Sequence, residues 1–248
     1  MKVTSAQILA QLQSLANPAN VAGMARYGIN THNTLGISVW QLRRLAKAYG
    51  KNHPLACELW ASGIHEARLL AAFMEDPALV DEAQMESWAA DFDSWDVCDQ
   101  VCSHLFDRTP YAYQKAFTWS EREEEFVKRA GFVLMASLAV HDKKASDQTL
   151  EQFFPAIQRA ATDDRNFVKK AVNWALRNLG KRNSRLNQAA IAAAQAIAQI
   201  DSRAARWIAR DALRELTSNA VQKRLAKMSA TANNPPGERK ESVNLDYN

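Results

Sequence analysis

Apolar residues along this chain recur at three- and four-residue steps, the period of amphipathic helices, while alternating runs rich in Val, Ile and Thr are missing. The pattern predicts helices over roughly Thr4–Leu15, Pro54–Ser62, His65–Phe73, Gln84–Asp91, Trp95–Phe106 and Tyr111–Trp119. Longer periodic segments occupy Glu123–Val140, Leu150–Thr162, Asn166–Leu179, Leu186–Ile200 and Ser202–Met228. Ser38 stands where it can cap a helix carrying Leu42, Leu45 and Ala46. Asn17-Pro18, Asp76-Pro77, the run Asp107–Pro110 and Gly180 supply breaks, and Gly23–Ile29 reads as a linker into the polar loop Asn30–Thr34.

Two of these helices open on nearly the same residues, Phe126-Val127-Lys128-Arg129-Ala130 and Phe167-Val168-Lys169-Lys170-Ala171. Their offset of about 40 residues, echoed again at Ala205–Ala212, is the period of paired-helix arrays. The expected architecture is all-α: a HEAT-like helical-repeat solenoid, an α-α superhelix with a concave basic face, forming a single domain over residues 1–228. Residues 229–248 change character at Asn233-Asn234-Pro235-Pro236-Gly237, cannot bury apolar area, and are predicted to be a disordered tail.

Scarce Gly and Pro agree with the helical reading. Apolar stretches are interrupted by charge too often to span a membrane, and the first residues lack the apolar core of a signal peptide. Cys57, Cys98 and Cys102 give no even disulfide framework, so the expected setting is reducing: cytoplasmic, or nucleoid-associated in a bacterium. A capped array with a polar tail is expected to be a monomer. The net charge of +4 is unevenly placed, since Asn166–Ile200 contains no Asp or Glu but carries Lys169, Lys170, Arg177, Lys181, Arg182 and Arg185. Such a surface suits a polyanion, with nucleic acid the first candidate; the plainer reading is a solvated face.

Helical spacing sorts the candidate residues. Trp95 and Asp99 are four apart and share a face, as do Lys170, Trp174 and Arg177. Aligning the repeats sets Arg129 opposite Lys170, so three successive second helices offer Trp95/Asp99, Arg129 and Lys170/Trp174/Arg177 to one concavity. Plainer readings exist: both Trp residues as core, Asp99 as the partner of a neighbouring Arg, Asp96 as a cap. Cys98 and Cys102 could face one way on a helix, but no second pair or spaced His supports zinc, and no metal or other cofactor is expected.

Together these residues resemble a known family. Ser94-Trp95-Asp96-Val97-Cys98-Asp99 is similar to the Trp-Asp-x-x-Asp signature of AlkD-type DNA alkylation repair proteins, HEAT-like-repeat glycosylases acting on alkylated purines. The two Phe-led runs resemble that family's Trp-x-Arg-Arg-x-Ala and Phe-x-x-Lys-Ala-x-x-Trp-x-Leu-Arg runs, and Leu35–Arg43 its Leu-Gly-Val-x-x-Pro-x-Leu-Arg. The resemblance covers roughly Tyr27 to Leu216. It implies a catalytic carboxylate at Asp99, aromatic walls at Trp95 and Trp174, and DNA contacts from Arg129 and Arg177. Lys170, Lys128 and Lys181 belong to the basic stripe beside them, and Tyr27 matches an aromatic near the lesion. Trp40, Ser94 and Lys128 depart from the family pattern.

The implied activity is excision of positively charged N3- or N7-alkylated purines from duplex DNA by hydrolysis of the N-glycosidic bond. Two alternatives stand beside it: a non-catalytic HEAT-repeat protein that binds distorted or branched DNA, and a protein-interaction solenoid.

Overall fold

The computed structural model of the protein describes residues 3–233 and is helical along its length, with no strand among those residues. Fifteen α-helices follow in order: α1 (Ser5–Ser14), α2 (Pro18–Ala25), α3 (Val39–Tyr49), α4 (His53–Ala61), α5 (His65–Met74), α6 (Glu82–Ala90), α7 (Trp95–His104) and α8 (Ala112–Ser120). The second half holds α9 (Glu125–His141), α10 (Asp147–Glu151), α11 (Phe154–Arg159), α12 (Asn166–Gly180), α13 (Ser184–Ala198), α14 (Arg203–Leu216) and α15 (Asn219–Asn233). None is long and apolar enough to cross a membrane among the described residues.

The helices stack as the repeat period requires. α3, α5, α7, α9, α12 and α14 pack successively into one row, while α4, α8 and α13 lie behind it against α5, α9 and α12–α14. In such an array the row of second helices lines the concave side. Gly131 lets two helices approach closely: a Cβ there would stand 2.5 Å from the Ser120 backbone nitrogen of α8. Between the rows an aromatic seam fills the core, with Trp60 stacked on Trp88 at 4.0 Å and Phe106 against Trp119 at 5.9 Å. Trp40, by contrast, is exposed and lies under the Arg44 guanidinium at 4.8 Å.

Four expectations change. The linker expected over Gly23–Ile29 is helical at its start: the Asn17 side chain accepts from the Asn20 amide, and Pro18, which lacks an N–H to lose, opens α2, which runs on to Ala25. The segment Leu150–Thr162 is not one helix, because Pro155 starts a new one after Phe153 and leaves α10 and α11 as separate short turns. Ser202–Met228 divides at Thr217-Ser218, where the Ser218 hydroxyl accepts from the Val221 amide and begins α15. Finally, α15 continues past Met228 to Asn233; the predicted disordered tail beyond it falls outside the described residues.

The Leu35-Gly36-Ile37 motif proves to be an anchor. Glu66 on α5, fully buried, accepts from the Leu35, Gly36 and Ile37 amides at 2.7, 2.6 and 3.3 Å. Gly36 has φ +78°, and a Cβ there would meet the Asn17 carbonyl at 2.3 Å. Ser38 then caps α3 in a capping box with Gln41, as its position suggested. This clamp fixes the N-terminal segment against the second-helix row. Replacing Glu66 with Gln turns an acceptor oxygen into a donor facing amide hydrogens, and should cost about 2–4 kcal/mol. Denaturant unfolding would check it, and stability equal to wild type would show that the clamp contributes nothing.

Candidate nucleic acid interface

The first turn of α7 is held from two sides. The Ser94 hydroxyl donates to Asp96 Oδ1 at 2.6 Å instead of capping the helix, and the other oxygen, Oδ2, lies 2.9 Å from His65 Nε2 on α5. Burial pulls the His65 imidazole down, but the bond to Asp96 and its charge more than offset this, so His65 is raised above its ordinary value. Burial likewise pushes Asp96 up, and His65 and Ser94 more than reverse it. Asp96 is therefore neither a cap nor a spare carboxylate: it is the bolt that orients α7.

One turn further, Asp99 projects beside Trp95. Both of its oxygens accept from Arg129 of α9, Oδ1 from Nε and Oδ2 from Nη2, each at 2.8 Å. The third guanidinium nitrogen, Nη1, donates to the Phe167 carbonyl in the first turn of α12 at 2.6 Å. A single side chain thus joins three successive helices at their N-terminal ends. Arg129 is 5% exposed. Its expected role as a phosphate ligand gives way to a buried one, because its donors are turned inward onto Asp99 and Phe167. Burial pushes the Asp99 carboxyl up from its ordinary value while the Arg129 charge pulls it back. A two-pronged pair with a group that does not lose its proton favours the ionised carboxylate against that burial.

The N-terminal segment closes over this pair. Trp95 Nε1 donates to the Tyr27 carbonyl at 3.0 Å, leaving the Tyr27 ring 74% exposed. Next to it Gly28 has φ +72°, and a Cβ there would come within 3.0 Å of the Phe167 ring. Phe167 in turn packs on Phe126 at 5.5 Å. Tyr27, Trp95, Asp99 and Arg129 are therefore one cluster. Trp174 is half-buried against the core two turns beyond Phe167 on α12, and Lys170, one turn before it, is exposed.

The other predicted cations are engaged. Arg177 lies 2.8 Å from Glu215 and 3.3 Å from Asp211, and Lys181 lies 2.9 Å from Glu215, all across to α14. Lys128 pairs with Asp163 at 3.3 Å. Within the acid-free stretch Arg177 and Lys181 are thus neutralised by a neighbour in space, which charge counting along the chain does not reveal, while Lys170 stays exposed. The His65–Asp96 pair went unseen for the same reason: its members are 31 residues apart.

Cys98 and Cys102 are buried and donate to the Phe126 and Ala130 carbonyls, pinning α7 to α9. The one mixed-ligand cluster among the described residues lies elsewhere: His53, Cys57 and Glu75 bring one ligand atom each within 4.8 Å of one another. Its carboxylate already accepts from Gln84 Nε2 and the Asp76 amide at 2.8 Å, beside the His53 ring at 2.9 Å. Those bonds describe a satisfied buried acid.

Among solved structures, one described as belonging to a new family of proteins related to the HEAT-like repeat DNA glycosylases with affinity for branched DNA structures superposes with a TM-score of 0.76. That alignment covers 90% of this chain and 96% of the other at 18% identity, a likeness of fold. A designed armadillo repeat protein in complex with the peptide (KR)4 aligns over 78% of this chain with a TM-score of 0.36 and 14% identity, too little to carry an argument. No curated protein matches. Residues 8–216, the greater part of the chain, match the family described as DNA alkylation repair enzyme, and the chain belongs to that family.

Proposed function

We propose that the protein binds duplex DNA along its concave face and excises cationic N3- or N7-alkylated purines there, with Asp99 as the working carboxylate. The observation that carries this reading is the Asp99–Arg129 pair, set beside Trp95 under an exposed Tyr27. An ionised carboxylate offers about four acceptor sites, and a two-pronged arginine takes two. The remaining two stay available to a sugar or a water, while Arg129 fixes the orientation and the charge.

The chemistry suits such a group. An alkylated purine bearing positive charge leaves with the bonding pair and needs little protonation. The cost lies in the cation that develops on the deoxyribose as the N-glycosidic bond breaks. A fixed carboxylate stabilises that oxocarbenium ion and holds the water that adds to the anomeric carbon, giving neutral base, an abasic sugar and a proton. The indole faces of Trp95 and Trp174 would add about 1–2 kcal/mol of cation–π attraction where water is excluded. Tyr27 and Lys170 would meet the backbone directly. Arg177, Lys181 and Lys128 would exchange Glu215, Asp211 and Asp163 for phosphates.

The second reading is a DNA binder without chemistry. It is favoured by the same pair seen from the other side, since Arg129 offsets the charge that an oxocarbenium ion would need. The structural relative with affinity for branched DNA makes junctions its natural target.

Asp99→Asn separates the two. The amide keeps one acceptor for Arg129 but no charge, so release of 7-methylguanine and 3-methyladenine should fall by at least about 100-fold while duplex affinity holds or rises. Loss of folding in this variant, read from its melting curve, would make the carboxylate structural.

The titration of Asp99 gives a second expectation. Its active form is the anion and burial raises its carboxyl, so enzyme-dependent release should decline on the acid side above the ordinary carboxylate value of about 4. A pH profile of single-turnover rates, corrected for spontaneous loss, would show it; a limb at or below that value would remove Asp99 from the rate-determining chemistry.

A further inference from the structure

A second group of cations gathers at the other end of the second helices, and the one ion pair they make among the described residues is the long contact of Arg108 Nε with Asp107 Oδ1 at 3.9 Å. Arg43, Lys47, Lys51 and Arg108 line one cavity of about 360 Å³ with Phe73 and His104, where α3, α5 and α7 finish. No Asp or Glu lines it. The Arg43 guanidinium is set in place: it stands over the Phe73 ring at 5.4 Å, donates to Gln100 Oε1 at 3.2 Å and lies 2.7 Å from His104 Nε2. Burial and then the Arg43 charge lower His104, which leaves that nitrogen free to accept. Burial and then the Arg108 charge lower the Lys51 ammonium as well. Like charges crowded around a cavity repel one another, and an anion between them relieves that repulsion.

The cavity does not stand alone. Arg108 also lines the next one along the edge, and that cavity shares Val140 and Lys143 with a third, which adds Lys181, Arg182 and Arg224. Two acids lie on this path: Asp107, buried, holds His141 with Oδ2 and stands 3.9 Å from Arg108 Nε with Oδ1, and Asp142 accepts from the Tyr113 hydroxyl at 2.9 Å. Three joined grooves make a track, and a track fits a polymer of phosphates better than one small anion. Its place is distinct from the cluster at Asp99, because α7 begins at Trp95 and ends at His104, a rise of about 15 Å.

We infer that the C-terminal edge of the second-helix row is a second DNA-binding track, which grips phosphodiester backbone through Arg43, Lys47, Lys51, Arg108 and Lys143, away from the Trp95–Asp99 cluster. This rests on the reading that the protein binds DNA, and not on catalysis. The track accounts for sequence-independent affinity that the paired cations of α12 do not supply. It also offers a second arm of a branched substrate somewhere to lie.

The test is a combined Lys47→Gln, Arg108→Gln, Lys143→Gln variant, none of whose residues belongs to the Asp99 cluster. Duplex affinity is read by fluorescence anisotropy between about 50 and 200 mM salt, where each lost phosphate contact flattens the salt slope by about 0.9. The expected result is a slope flatter by about 2–3 and affinity at least about 10-fold weaker at the higher salt, with the melting temperature kept or raised. Wild-type slope and affinity in the variant, together with a lowered melting temperature, would mean that these cations only offset helix C-termini, and would overturn the track. Inorganic phosphate and a mononucleotide are titrated in parallel. Binding of either in preference to duplex would assign the cavity to a small phosphate ester and overturn the polymer. A wild type that binds no duplex at any salt would instead bring down the DNA-binding reading itself.

Discussion

Arg129 is the residue on which the concave face depends. Its guanidinium spends two donors on Asp99 and a third on the Phe167 carbonyl, so α7, α9 and α12 are registered by one planar group. Removing one partner of a buried pair of this kind costs about 3–5 kcal/mol, because the other charge is stranded. The same bonds that hold three repeats together also aim a carboxylate. On the proposed function stability and chemistry are coupled here, and Asp96, His65 and Ser94 extend the coupling by fixing the start of α7.

The N-terminal segment depends on a second buried acid. Glu66 gathers three amides of the Leu35–Ile37 turn, and the chain before that turn brings the Tyr27 carbonyl to the Trp95 indole. A solenoid with only its helix row would leave Trp95 facing water. With the clamp in place the indole is half-buried, its N–H is satisfied, and only the phenol of Tyr27 stands fully in solvent. This face thus carries two carboxylates in different settings: Glu66 holds backbone amides and Asp99 holds Arg129.

Much of this was legible in the sequence. The helix period, the repeated Phe-led runs and the four-residue step from Trp95 to Asp99 carry fold and face directly, because each is a local regularity. Ser38 was legible as a cap for the same reason. What escaped was pairing across repeats. That Arg129 reaches Asp99 and that Glu215 takes both Arg177 and Lys181 depend on superhelical register, which no window of sequence contains. Charge counting therefore pointed to α12 as the binding surface, while Arg43, Lys47, Arg108 and Lys143 are scattered along the chain and meet only in space. Pro155 and Ser218 did carry break signals, a missing donor and a capping hydroxyl; the apolar periodicity on either side outweighed them.

The two readings of the site part most directly on one comparison with the unmodified protein. Free base released from methylated duplex and equilibrium binding to an unmethylated four-way junction would be measured side by side at the same salt. The account predicts release of methylated purines above the spontaneous rate, with junction affinity no more than that of an equal length of duplex demands. Tight junction binding with no base release would contradict it, and would leave Asp99 and Arg129 as the lock of a DNA-binding scaffold.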